Sequence, residues 1–251
     1  MYYTVILIVL LWLLLRDYTN TIQVVIARYN ENLSWVNTLD PKRFDVIVYN
    51  KGSNDTLCKF TRPVKIESLE NKGRETDTYL RHIYTHYENL PRHIVFTQGD
   101  PFEHNYNFLN DLKRVDLCEK FHHLSRYYMI DLPESVRCAA YLTEPGIYTM
   151  ECREGYVLSD AHPIRDQIPN TLFIKYRKVE NIMYQFSQEI DVPFDENQMT
   201  LDFFWSGMFH THVSNIYKYP KEQYKKWIDL NNTDVVYGYL FERMWYYLFA
   251  L

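Results

Sequence analysis

Gln23-Val24-Val25-Ile26-Ala27, followed at once by Arg28-Tyr29-Asn30-Glu31, is the stretch on which the fold reading turns. An apolar run without polar alternation is what a strand buried on both faces requires, and such strands belong to parallel sheets. The polar tetrad behind it reads as a loop leaving the strand's carboxyl end. Phe44-Asp-Val-Ile-Val-Tyr49 and His93-Ile-Val-Phe-Thr-Gln98 repeat the pattern, and Val64-Lys-Ile-Glu67 is a weaker copy. Helical spacing fills the gaps. Thr76 to Tyr87 puts Tyr79, Leu80, Ile83 and Tyr87 on one face, and Asn105 to Asp116 is a second helix. Ser34 reads as the cap of a short helix ending before Asp40-Pro41. The alternation predicts a single α/β domain over residues 21–251, with a mostly parallel central sheet and helices on both faces.

Outward from this core the pattern weakens. Residues 131–171 hold many turn formers and support no assignment. Helical spacing returns over Val179 to Phe186, Pro220 to Leu230 and Val236 to Phe249, with Pro220 well suited to a first turn. At the other end, Val5 to Leu15 contains only Val, Ile, Leu and Trp. The run is shorter than the roughly 20 residues that span a bilayer. No small-residue cleavage site follows it, since Arg16-Asp17-Tyr18-Thr19-Asn20 come next. Residues 1–20 are therefore expected to be a short uncleaved signal-anchor making a single membrane pass, the lumenal side being slightly favoured for the domain.

Composition narrows the function. With 47% hydrophobic and 17% aromatic residues the chain can offset its ordering entropy, so disorder is not expected. A net charge of −5 provides no basic field for nucleic acid. Seven glycines, with no Walker loop and no G-x-G-x-x-G, argue against P-loop enzymes and dinucleotide oxidoreductases. Cys58, Cys118, Cys138 and Cys152 lack C-x-x-C spacing, which argues against zinc. They fit two disulfides in a lumen or buried thiols in the cytosol.

In open α/β sheets ligands bind beyond the carboxyl ends of the strands. Three loops leave such ends: Arg28-Tyr29-Asn30-Glu31, Asn50-Lys51-Gly52, and Gly99-Asp100-Pro101-Phe102-Glu103-His104. Polar, acid-containing loops at several strand ends are what a nucleotide-sugar site needs. Base and ribose call for hydrogen-bonding side chains, and the diphosphate for a divalent cation. Asn71 to Glu75 precedes a helix, so its amides and Arg74 suit an anion. Glu242 lies in an aromatic helix, where a cleft-facing carboxylate with a raised pKa suits general-base work.

The string Val24-Val-Ile-Ala-Arg-Tyr-Asn-Glu31 with Leu33-Ser34-Trp35 resembles the opening of a family of uncharacterised glycosyltransferase-like domains found in viruses, bacteria and fungi. The resemblance continues in Asn50-Lys51-Gly52, Asn71-Lys72-Gly73-Arg74-Glu75 with Tyr79-Leu80, Phe96-Thr97-Gln98-Gly99-Asp100 with His104, and Glu242-Arg243-Met244-Trp245. The order of elements is similar to GT-A glycosyltransferases, which bind a nucleotide-sugar on the first half and an acceptor on the second. That likeness implies transfer of a sugar from a nucleoside-diphosphate donor to a glycan or glycoprotein. It implies a donor set of Arg28, Asn30, Glu31, Asn50, Lys72, Arg74 and Gln98. It also implies a divalent cation, manganese or magnesium, at Asp100 and His104. The chain departs from the D-x-D pattern of such enzymes, reading Gln98-Gly99-Asp100 with only the second acid. Asp202 joins Glu242 as the second candidate catalytic carboxylate. The departure keeps open a catalytically silent domain that binds glycans or proteins at a membrane. A third expectation is a metal-dependent hydrolase using His104, His210 and His212, which requires those histidines to converge.

Overall fold

The computed structural model describes residues 21–125, 127–131, 140–144, 147–152, 156–157, 182–195 and 200–251, with the backbone alone for 127–157, 182 and 200–205. The N-terminal apolar run and Cys138 lie outside the described residues, while Cys58 and Cys118 are free thiols. Among the described residues no helix is long and apolar enough to cross a membrane.

The strands in chain order are β1 (Ile22–Arg28), β2 (Phe44–Asn50), β3 (Lys65–Ser68), β4 (His93–Gln98), β5 (Phe121–His123), β6 (Tyr127–Asp131), β7 (Ala140–Glu144), β8 (Ile147–Cys152), β9 (Tyr156–Val157), β10 (Thr200–Phe204) and β11 (Phe209–His212). The helices are α1 (Arg74–His86), α2 (Phe108–Arg114), α3 (Ile182–Glu189), α4 (Val213–Ile216), α5 (Lys221–Asn231) and α6 (Val236–Phe249). Six strands form the main sheet in the order β3-β2-β1-β4-β11-β5. As the apolar runs imply, β2, β1 and β4 are neighbours and parallel, with Ile22 opposite both Phe44 and His93. Each Val or Ile that β1 buries on folding contributes about 1.5–3 kcal/mol, and Ile22, Val24, Val25 and Ile26 are all fully buried.

Strand alternation sends these side chains into two cores. On one face Val25 of β1, Ile47 of β2 and Phe96 of β4 meet Tyr79 and Ile83 of α1 and Phe241, Met244 and Trp245 of α6. On the other, Val24, Ile26 and Val95 meet Trp35 and Val36 of the 3-10 turn Ser34–Thr38 and Phe108 and Leu112 of α2.

The sheet is mixed, which corrects the expectation of a mostly parallel one. β11 runs antiparallel to both β4 and β5. It enters the sheet from the turn Trp205–Gly207, beside the carboxyl end of β4, so it can only run back along that strand. Four residues with two histidines carry no apolar run that would announce this. Ser34 is also not a cap: its amide instead donates to the Asn32 side chain at 2.9 Å. α1 begins two residues earlier than its periodicity suggests, and the helix expected from Val179 is described over Ile182–Glu189. The stretch left unassigned holds the antiparallel set β7-β8-β9, and β6, which pairs with β10, ends at its first residue, Asp131.

Candidate functional site

The chain steps from β1 outward to β2 and β3, then crosses back to place β4 on the other side of β1. The switch point therefore lies between the carboxyl ends of β1 and β4, where open α/β sheets leave a crevice for ligands. Glu31 and Gly99 meet there so closely that a side chain on Gly99 would collide with the Glu31 carboxylate. Glu31 accepts the Tyr29 amide at 2.6 Å, and the Trp35 indole donates to the Gly99 carbonyl at 3.0 Å. Gln98 donates to the Asp100 carbonyl at 2.8 Å. Asp100 is exposed and its Oδ1 accepts the Phe102 amide at 3.0 Å.

Two residues of the expected donor set build this edge from within. Arg28 is 1% exposed. Its guanidinium donates to the carbonyls of Tyr29, Glu31 and Ser53, to Asn50 Oδ1 at 2.5 Å and to Thr56 Oγ1 at 2.7 Å. Asn50, also buried, donates to the Gly52 carbonyl and to Asn54 Oδ1. Both side chains are spent on holding loops together. Asn30 and Lys72 are exposed, Asn30 receiving the Ser53 amide at 3.4 Å and Lys72 pairing with Glu70.

Gly52 shows how tightly these loops approach. Lys51 donates its amide to the Arg28 carbonyl at 2.8 Å, and a Cβ on Gly52 would lie on the Tyr29 carbonyl oxygen. Backbone cannot rotate aside as a side chain can, so Gly52→Ala is expected to cost ~3 kcal/mol, the upper end for overpacking. Calorimetric unfolding checks this, and an unchanged Tm would mean the two loops do not touch.

The segment before α1 closes the edge beyond β2. Gly73 and Arg74 both have left-handed backbones (φ 58° and 54°), a conformation that costs a non-glycine residue about 1–3 kcal/mol and that clusters at functional sites. The buried Lys51 ammonium holds this turn, donating to the carbonyls of Lys72 at 2.6 Å and Arg74 at 2.5 Å, with Asp77 3.5 Å away. Burial lowers the Lys51 pKa while Asp77 and Glu75 oppose it. Arg74 lies over the Tyr239 ring at 4.6 Å, donates to its hydroxyl at 2.6 Å and stands 3.6 Å from Glu75.

Glu242 of α6 faces the same edge. Its Oε1 accepts the Ser206 amide in the turn that leads into β11 beside the end of β4. Ser206 and Gly207 both have positive φ (69° and 58°). The Gly207 conformation brings its Cα beside the Trp245 indole nitrogen, where no Cβ would fit. Glu242 is half-buried, and burial pushes its carboxyl pKa up; Arg243, Arg74 and the Ser206 amide oppose, while the Glu75 charge adds to the rise. Three further donors nearby have no acceptor within the described chain: Tyr79 Oη, Ser206 Oγ and Trp245 Nε1. Tyr79 and Trp245 stand in the motifs that carry the family resemblance, but they read there as helix-face aromatics and not as site residues. Sequence reasoning misses Ser206; the small pair Ser206-Gly207 is the signal that could have marked the turn.

The other candidates separate. Asp202 lies in β10 opposite Met129, and its backbone alone is described. His210 and His212 share a face of β11, as alternation requires, but gather on His93 at the amino end of β4. His104 lies past the opposite end of that strand, so the hydrolase triad is not assembled. Among the described residues no three His, Cys, Asp or Glu side chains converge to hold a metal ion.

Fold and edge together define an α/β domain with a mixed six-stranded sheet and polar, carboxylate-bearing loops at its switch point. A model of the family described as a protein of unknown function, DUF3431, matches residues 24–251, and the chain belongs to that family. No curated protein and no solved structure shows significant similarity to it.

Proposed function

We propose that the domain is a glycosyltransferase that moves a sugar from a nucleoside-diphosphate donor to a hydroxyl of a glycan or glycoprotein. The observation that carries this reading is Glu242: a carboxylate with a raised pKa, fixed by a backbone amide, at the strand end where ligands gather. In transfer, Glu242 takes the proton of the acceptor hydroxyl as its oxygen bonds to the anomeric carbon. The bond from that carbon to the diphosphate breaks, and the diphosphate leaves with the electron pair. The motif resemblance implies that the donor phosphates lie towards Asp100, Lys72 and Arg74. The single exposed carboxylate of Asp100 suits a divalent cation whose remaining ligands are phosphate and water, more than a protein-built cage. Such a cation would neutralise charge developing on the leaving diphosphate. An N-terminal membrane anchor belongs to the same reading and keeps the domain near membrane-bound acceptors.

The test begins with calorimetry of UDP and GDP, each with manganese, on the full chain in detergent. Asp100→Asn keeps the shape and should weaken binding about tenfold or more, as loss of a charged hydrogen-bonding partner does. Glu242→Gln should leave nucleotide affinity intact and lower transfer by about 10²–10⁴, the range for a positioned base. The acid limb of the wild-type rate profile should lie above the usual glutamate range. Binding without transfer in the wild type would favour a silent binding domain. Absence of both ends the proposal.

A further inference from the structure

Tyr79, Ser206 and Trp245 are 0%, 5% and 1% exposed, yet Tyr79 Oη, Ser206 Oγ and Trp245 Nε1 have no acceptor among the described residues. A buried donor without a partner costs free energy, and native chains keep only a few per hundred residues. Three in one place call for a common cause. They are in one place. The Tyr79 and Trp245 rings lie 6.0 Å apart, and the Trp245 nitrogen borders Gly207, whose neighbour Ser206 donates its amide to Glu242. The Glu75 and Glu242 charges both reach the Tyr79 hydroxyl, which burial first and these charges second hold far from ionisation.

The chemistry of this group selects its ligand. The Glu75 and Glu242 charges are offset by Arg74 and Arg243, so the place has no net positive charge to hold phosphate or another anion. Three neutral donors beside two acceptors match a group whose oxygens both accept and donate. A pyranose, neutral and ringed with hydroxyls, has both properties. We infer that Tyr79, Ser206 and Trp245 with Glu75 and Glu242 form a binding subsite for a neutral sugar ring, separate from the place that takes phosphate. Only the description of that ring as a substrate rests on the transferase reading.

Tyr79→Phe separates a binding role from a structural one, because it deletes a hydroxyl the folded chain leaves unpaired. Its unfolding temperature without ligand should equal or exceed that of the wild type. Saturation-transfer NMR with a panel of methyl glycosides (glucose, galactose, mannose, N-acetylglucosamine, fucose and xylose) should show contact with the wild type for at least one. For that glycoside the Phe variant should bind at least tenfold more weakly, and Ser206→Ala should weaken it too while leaving the unfolding temperature within a few degrees. No contact for any glycoside, unchanged affinity in both variants, or a Tyr79→Phe unfolding temperature several degrees lower would each overturn the subsite. Nucleotide binding by the wild type with no glycoside contact sinks the subsite and spares the transferase. Glycoside contact with no nucleotide binding does the reverse.

Discussion

Below about pH 6.5 the protein should lose stability steeply, by roughly 4 kcal/mol per pH unit near pH 5, because three buried histidines must stay neutral in the fold. His82 and His210 are fully buried and His93 nearly so. Burial lowers His82 to about 3, helped by the charges of His86 and Lys65. It lowers His210 to about 3, with His93, His122 and His212 adding, and His93 to about 4, with His212 and Arg92 adding. In the unfolded chain each takes up a proton near pH 6.5. Stability is therefore complete above that value and drains away as pH falls towards 4, flattening once the folded imidazoles also charge. His86, His123 and His212 are lowered too and act in the same sense. Glu242 and Asp234, whose carboxyls burial raises, work the other way, as two groups against several. Urea midpoints at pH 7, 6 and 5 measure the effect. His82→Gln keeps an acceptor for the Tyr49 hydroxyl, now 3.0 Å from His82 Nδ1, and should flatten the slope by about one proton. Equal midpoints at pH 7 and pH 5 would refute the account.

Arg28 should be the costliest single side chain to lose at the ligand edge. Among the described residues its partners are five neutral oxygens from the two loops that follow β1 and β2, with no carboxylate among them. Arg28→Ala leaves those buried acceptors without a donor and is expected to cost about 3–5 kcal/mol, as removing one side of a buried charged network does. For a domain of this size that is a fall in Tm of about 10 °C. Arg28→Lys decides between structure and ligand contact. Lysine keeps the charge but has no planar fork to reach several carbonyls at once, so it should be nearly as unstable as the alanine variant. A lysine variant with wild-type Tm and weakened UDP binding would restore Arg28 to the donor set.

These two cases mark how far a sequence can be read. The buried strands were plain because burial on both faces leaves no choice of residue: Val24 to Ala27, Val46 to Tyr49 and Ile94 to Phe96 announce themselves. Arg28 could be found but not understood. A cation at a strand end reads as a ligand contact until the loops that enclose it are known. The reversed strand was hidden because Phe209 to His212 is short and mostly polar. The unpaired donors were hidden for a different reason. Tyr79 and Trp245 satisfy helix periodicity like any core aromatic, and only three-dimensional accounting shows their polar atoms lacking partners.

The reversed strand also sets an order in time. β1 to β4 lie within residues 22–98 and can pair through connections of modest length. β11 must return to β4 across a much longer stretch, the paired imidazoles of His93 and His210 being 117 residues apart in the chain. Loop-closure entropy grows only as the logarithm of length, yet it opposes folding before the distant contact forms. Among the described residues β5 has no neighbour in the sheet but β11, so it joins with that return. The four parallel strands are thus the natural nucleus. The turn that positions Ser206 against Glu242 arrives with β11, among the last parts to settle.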